Sequence, residues 1–420
     1  MSESTLHISD SDRSMLAGEC GPAPEFAMQL LVRTAEITGA ETLIDVSWAH
    51  VTSAYYNGQA NLDLAERLAS LGARVSVPTT LTACSLDGRQ AGRECAAPSV
   101  RSALRLIELY RDMGCDSVMT CAPYHTRREP AFGEHLAWTE SSAVVYANSV
   151  LGARSNRYYE FFDICAAITG RVPYTGLHEP RNRAATTLVS LADLPPRWLE
   201  DDRFYHILGF LLGRSVGNRI AAIEGLPLSV TTEQLRAIGT AANASGAVDM
   251  FHAIGVTPEA ATRSEAFHDK APQETLRIDR EAIRNAVKIL DTSNDLPLTA
   301  VCVGAPHFSV AEFGRLLPII EGKTVHPKVH FYITTSRHVL GELKERGWLH
   351  TLQAAGIELI TDRCTYYPPV IEGCKGRVMT NSAKWAYYAP GTLGSAVTFA
   401  GLEDCVASAV AGEASRVSWF

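Results

Sequence analysis

No stretch of this 420-residue chain approaches the ~20 uninterrupted apolar residues that a membrane-crossing helix needs. The N-terminus, MSESTLHISDSDRSML, lacks the basic start and apolar run of a secretion signal. A basic excess is missing too: 38 Lys and Arg stand against 46 Asp and Glu, a net charge of −8, so neither nucleic acid nor an anionic membrane is an expected partner. There is no CxxC pair and no HExxH. G-x-G-x-x-G and G-x-x-x-x-G-K-[ST] are also absent, which leaves no motif for a nicotinamide or nucleotide enzyme. Internal repeats and low-complexity segments are lacking as well.

What remains is the composition of a large globular protein. Hydrophobic residues make up 46% and charged residues 20%, enough to fill the cores of two or three domains. Ten cysteines are spread singly along the chain, whereas a secreted disulfide scaffold concentrates them in a small domain. They read as reduced thiols or metal ligands, and the expected compartment is the cytoplasm.

Helix and strand periods alternate. Ala23–Gly39 has helical apolar spacing and a terminal glycine, and the apolar run 42–46 follows as a strand. Leu62–Leu71 and Val100–Met113 read as helices, with strands at 73–77 and 117–120. The last third repeats the pattern: strand Thr299–Val303, helix Ala311–Ile320, strand Val329–Ile333, helix His338–Glu345, strand Ile357–Ile360. The expected fold is multi-domain α/β, with parallel sheets covered by helices. Periodicity weakens at 195–203 and 261–280, so the expected units are an N-terminal catalytic region 1–200, a connecting region 201–280 and a C-terminal βαβαβ domain 281–420.

Polar blocks fall after predicted strands, where open α/β sheets bind ligands. They are PTTLTACSLD from Pro78, TCAPYHTRREP from Thr120, NSVLGARSNR from Asn148, HAIGVTPEA from His252, VGAPHFS from Val303 and TDRCTYYPP from Thr361. Cys121 and Cys364 stand in two of them, and thiolates at such positions can hold iron or an iron–sulfur cluster. A lone cysteine at a strand end is more often a small buried apolar residue. His125, His178, His252 and His307 could ligate metal or carry protons, and Glu140 and Glu259 could serve as acid or base. Arginines 154, 157, 171, 181 and 183 form a run suited to a carboxylate substrate, although any one of them equally suits a surface salt bridge. Lys384, opening a predicted helix, could bind an anion.

Six blocks in order resemble the aconitase X family: TCAPY at 120–124, GEHLAWTESSAVVYANSVLGARSNR at 133–157, GRVPYTGLH at 170–178, GVTPEA at 255–260, GAPHFS at 304–309 and NSAK at 381–384. The resemblance implies a hydro-lyase of the aconitase superfamily, with a large α/β catalytic part and a small, swivelling β-rich domain. It implies a dehydratase acting on a small hydroxy acid, cis-3-hydroxy-L-proline or mevalonate 5-phosphate, through an iron–sulfur cluster. This chain corresponds to the large part, so the swivel domain is expected on a separate small subunit in a heterodimer. Between the substrates, isolated arginines without a compact Lys/Arg group favour cis-3-hydroxy-L-proline, with Δ1-pyrroline-2-carboxylate as product.

By the same resemblance Cys121 and Cys364 are metal ligands. Relatives carry a cysteine before the Pro-His pair, where this chain has Ala305; Cys302 is the expected third ligand, with Cys374 as a substitute. The departure leaves the group open between a [2Fe–2S] cluster, another cluster type and a single metal ion. Ser53, Lys384 and His178 are the expected catalytic residues, and Thr80, Asn148, Ser149, Arg154 and His307 the expected substrate contacts. The competing class is a non-catalytic metal- or metabolite-binding relative.

Overall fold

The computed structural model describes residues 6–84, 86, 98–126, 128–293, 296–368 and 370–415. Ser85 and Asp87 of the first polar block, Arg127 of the second and Pro369 of the last lie outside them.

The helix Pro22–Thr38 shows how local sequence sets an element. Proline occupies its first turn, Gly39 closes it at φ 69°, and Ala27, Leu31 and Ala35 repeat every four residues along its buried face. That face packs on the helix Phe162–Thr169, which carries Asp163 beneath the sheet.

Among the described residues, fourteen strands form four sheets. β1 (Leu43–Asp45) pairs antiparallel with β5 (Arg171–Pro173). β2 (Ala49–Val51), β3 (Thr79–Leu81) and β4 (Ala137–Trp138) form a parallel sheet in the order β3-β2-β4. β6 (Thr187–Ser190), β7 (Ala221–Glu224), β8 (Phe251–Ala253) and β9 (Glu274–Arg277) form a second, in the order β8-β7-β6-β9. β10 (Leu298–Val303), β11 (His330–Thr335), β12 (Ile357–Thr361), β13 (Arg377–Thr380) and β14 (Ala396–Phe399) form the third, in the order β12-β11-β10-β13-β14. The three larger sheets are parallel and covered by helices, as expected. The division expected after residue 200 falls between β6 and the strands hydrogen-bonded to it, β7 and β9.

Two expected strands are displaced. Residues 73–77 form no strand, although Val75 N–H donates to Met113 and Ser76 N–H to Ala167. The ladder begins only at Thr79, because Pro78 has no N–H to give. Residues 117–120 run beside β3 with a single bridge, Asp116 to Thr80.

β10 is buried on both faces. Leu298, Val301 and Val303 face one apolar core, and Ala300 and Cys302 face the other. The next two strands lie to one side of β10 and the last two to the other, so the loops after β10 and β13 flank the switch point where such sheets open a crevice. The helices Asp202–Val216 and Thr232–Gly246 cross in near-backbone contact. A Cβ at Gly209 would sit 2.3 Å from the Ile238 carbonyl oxygen, and one at Gly213 would sit 2.3 Å from that of Ala242. The run G-R-S-V-G at 213–217 closes the first of these helices, so its serine is not on the strand-to-helix turn of a hydrolase nucleophile. Among the described residues, no helix is long and apolar enough to cross a membrane.

Candidate active site

The loops leaving the carboxyl ends of two sheets face each other. From the N-terminal sheet, the segment beside β3 ends at Cys121 and β4 runs into Glu140. From the C-terminal sheet, β10 leads through Gly304 to His307, β12 to Arg363 and Cys364, and β13 to Lys384. Gly304 holds φ 91°, and a Cβ there would meet the Thr334 carbonyl oxygen at 2.3 Å, so only glycine fits the turn that swings His307 over the strand end.

This turn completes a group of three. One donor atom each from Cys121, His307 and Cys364 lies within 4.8 Å of the other two, and all three residues are buried. His307 N–H donates to Cys121 Sγ at 3.3 Å, and its Nδ1 meets Thr120 Oγ1 at 3.0 Å. The two thiols are shifted in opposite directions by each other. The neighbouring Cys364 and burial drive the Cys121 thiol well up, whereas Cys121, aided by Lys384, brings Cys364 down against burial.

Two thiols and an imidazole are a donor set for iron or zinc. Three donor atoms within 4.8 Å of one another are close enough to serve one metal centre together. The residues therefore fit a metal.

Beside this group, Lys384 Nζ donates to Glu140 Oε1 at 3.4 Å, both side chains being largely buried. Thr82 and Ser142 also donate to this carboxylate, at 3.3 and 3.1 Å. Burial pushes the Glu140 pKa up, but the Lys384 charge, followed by His50 and Ser142, brings it below the usual value. Burial alone would lower the Lys384 pKa; Glu140 overrides it, with Cys121 contributing, and holds the ammonium charged. Lys384 is placed by its helix, Ala383–Leu393. Ser382 caps that helix by accepting from Trp385 N–H and donates to the Ala305 carbonyl, and the buried Trp385 indole donates to Thr365 at 2.9 Å.

The remaining expected site residues are placed elsewhere. Cys302 is inside β10, so its side chain enters the helical layer and not the carboxyl edge, and its Sγ faces Cys374 Sγ at 3.5 Å. Ser53 lies under the sheet, donating to Asp163 at 2.5 Å and accepting from Phe161 N–H at 2.8 Å. His178 is bound on both ring nitrogens, to His135 at 2.9 Å and Tyr158 at 2.6 Å. Thr80 is spent on Trp48 and His50. Asn148 bonds Ser155, Asp249 and Arg183, and Ser149 accepts from Phe251 N–H. These two satisfy irregular backbone where the helix Ser141–Tyr146 widens into a single π turn. Arg154 borders His135 and His178, a separate polar cluster. Arg183 and Glu259 form a buried ion pair beside Asn148.

Two neighbours of the group were not singled out from the sequence. His50 is fully buried, and burial takes its pKa down to about 4 against the pull of Glu140, so it is neutral. Arg236 reaches the His307 carbonyl from the helix Thr232–Gly246. His50 stands just before Ser53 in sequence, but nothing in the local pattern around Arg236 points to a site.

Family models match nearly the whole chain: Aconitase X first domain over residues 5–181, second domain over 185–288 and third domain over 298–411. The chain belongs to the aconitase X family. Among curated members, a cis-3-hydroxy-L-proline dehydratase of Pseudomonas aeruginosa is 44% identical over 96% of this chain and 69% of its own length. One from Hypocrea jecorina is 39% identical over 97% and 69%. A phosphomevalonate dehydratase large subunit of Methanocaldococcus jannaschii is 32% identical over 95% of this chain and 99% of its own. The crystal structure of Thermococcus kodakaraensis aconitase X in its holo-form superposes with a TM-score of 0.85 at 30% identity, covering 96% of this chain and all of the other. This aconitase X protein is accordingly a hydro-lyase.

Proposed function

We propose that this aconitase X protein removes water from cis-3-hydroxy-L-proline, giving a cyclic enamine that tautomerises to Δ1-pyrroline-2-carboxylate. The carrying observation is the identity to the two hydroxyproline dehydratases, 44% and 39%, against 32% for the phosphomevalonate large subunit. Cys121, His307 and Cys364 would hold iron, which when bound would supply Lewis acidity for the departure of the hydroxyl. Glu140, kept ionised, takes the α-proton on a carboxylate oxygen as the ring C=C bond forms. The Lys384 ammonium holds the substrate carboxylate and donates a proton to the leaving hydroxyl, which departs as water; the proton taken by Glu140 then restores the ammonium across their hydrogen bond. The first and last units supply these groups, and the middle unit braces them. The "large subunit" relatives support a separate small subunit as partner. Thiols that must stay reduced support a cytoplasmic setting.

The test is anaerobic purification with the co-expressed small subunit, followed by iron, acid-labile sulfide and substrate consumption on one sample. Iron without sulfide, together with turnover of cis-3-hydroxy-L-proline, is expected. Sulfide would mean a cluster in place of a single ion. Turnover of mevalonate 5-phosphate but not of hydroxyproline would overturn the substrate reading.

A further inference from the structure

The peptide of His307 is gripped on both sides. Its N–H is bound by Cys121 Sγ, and its carbonyl oxygen accepts from Arg236 Nη1 at 3.3 Å. Arg236 belongs to the middle unit, on the helix that packs in near-backbone contact against Asp202–Val216, and is 4% exposed. Its other nitrogen, Nη2, pairs with Glu312, whose carboxylate also accepts from Ser309 N–H at 2.8 Å and so fixes the first turn of the helix after His307. On the opposite flank lies Tyr124, three residues beyond Cys121; burial drives its phenol pKa up, and the nearby Arg236 charge pulls it back. One guanidinium thus touches the His307 loop at two points and faces the segment that carries Cys121. Arg236 also lines a cavity of about 520 Å³, together with Ala305, Pro306 and Ser382. The three metal donors do not line that cavity.

We propose that Arg236 is a positioning residue that holds the His307 loop in register with Cys121 and Cys364, so that the middle unit sets the metal affinity of a site to which it contributes no ligand. The proposal rests on the metal reading above. Its physical basis is the fork of the guanidinium: two nitrogens serve a carboxylate and a carbonyl at once, whereas a lysine ammonium in its place stays with Glu312 and cannot reach both.

The test is Co(II) titration of the metal-free protein, purified with its small subunit, reading the thiolate-to-metal charge-transfer band. Arg236→Lys, which keeps the ion pair and loses the carbonyl bond, is expected to weaken Co(II) binding by about ten- to a hundredfold and to shift the band, while the melting temperature falls by only a few degrees. Arg236→Gln combined with Glu312→Gln removes both charges together, and the same weakening is expected. Glu312→Gln alone, which leaves Arg236 on His307, is expected to bind as the native protein does. Native affinity and an unshifted band in both Arg236 variants would overturn the proposal. A native protein that takes up no Co(II) would overturn the metal reading, and this one with it.

Discussion

Lys384→Met separates what the ammonium does for catalysis from what it does for stability. The substitution leaves Glu140 buried beside His50, Thr82 and Ser142 without its main cation. Removing one partner of a buried pair costs about 3–5 kcal/mol when the other stays charged. That penalty depends on pH. In the native protein Glu140 titrates below its unfolded value, so its contribution is present at neutral pH and is lost as pH falls through the depressed value. In the variant burial is opposed only by His50 and the hydroxyl donors, and the Glu140 pKa is expected to rise above the unfolded value, so the variant loses stability as pH rises through that new value. The gap in melting temperature between the two proteins should therefore be wide near pH ~8 and narrow near pH ~5, where the unpaired carboxyl takes up a proton. Adding Glu140→Gln should recover most of the gap while leaving dehydratase turnover lower by about a hundred- to ten-thousandfold. Thermal melts across pH, with kcat and KM on the same preparations, check this. A melting gap that does not change with pH, or turnover restored with the stability, would refute the reasoning.

Cys121→Ser and Cys364→Ser should each lose bound iron and activity, while Cys302→Ala should keep both, since its thiol faces Cys374 inside the sheet; iron analysis of the three side by side decides it. Ser53→Ala should cost about 1–3 kcal/mol, because it deprives buried Asp163 of a donor and Phe161 N–H of an acceptor, yet leave KM unchanged; a raised KM at native stability would return Ser53 to the substrate site.

The alternation of helical and two-residue periods was enough to read the C-terminal sheet, because β10 and β11 are buried on both faces and the edge strand β12 places Ile357 and Ile360 in the two cores. The N-terminal strands were harder. β2, β3 and β4 span only two or three residues, and β3 begins a few places after the most apolar run, where Pro78 releases the chain into the ladder. The polar blocks were equally visible, but their residues divide between two tasks that look alike in sequence. Asn148, Ser149, Thr80 and Ser53 satisfy buried polar atoms of irregular backbone and tight sheet ends, while Glu140 and Lys384, no more conspicuous, meet across two units.

Read alone, the sequence determined the α/β class, the family and the presence of thiols and a lysine at strand ends, because periodicity and ordered short blocks are properties of the chain itself. Which side chains share one crevice was decided only by tertiary structure. His307 joins Cys121 and Cys364 because a glycine turn carries it past the end of β10, and Cys302 is kept away because strand alternation commits it to the core. Arg236 enters from a third unit through a helix crossing that no local pattern records. Distances across units depend on how sheets and helices pack, and a pattern of neighbours along the chain carries no measure of that.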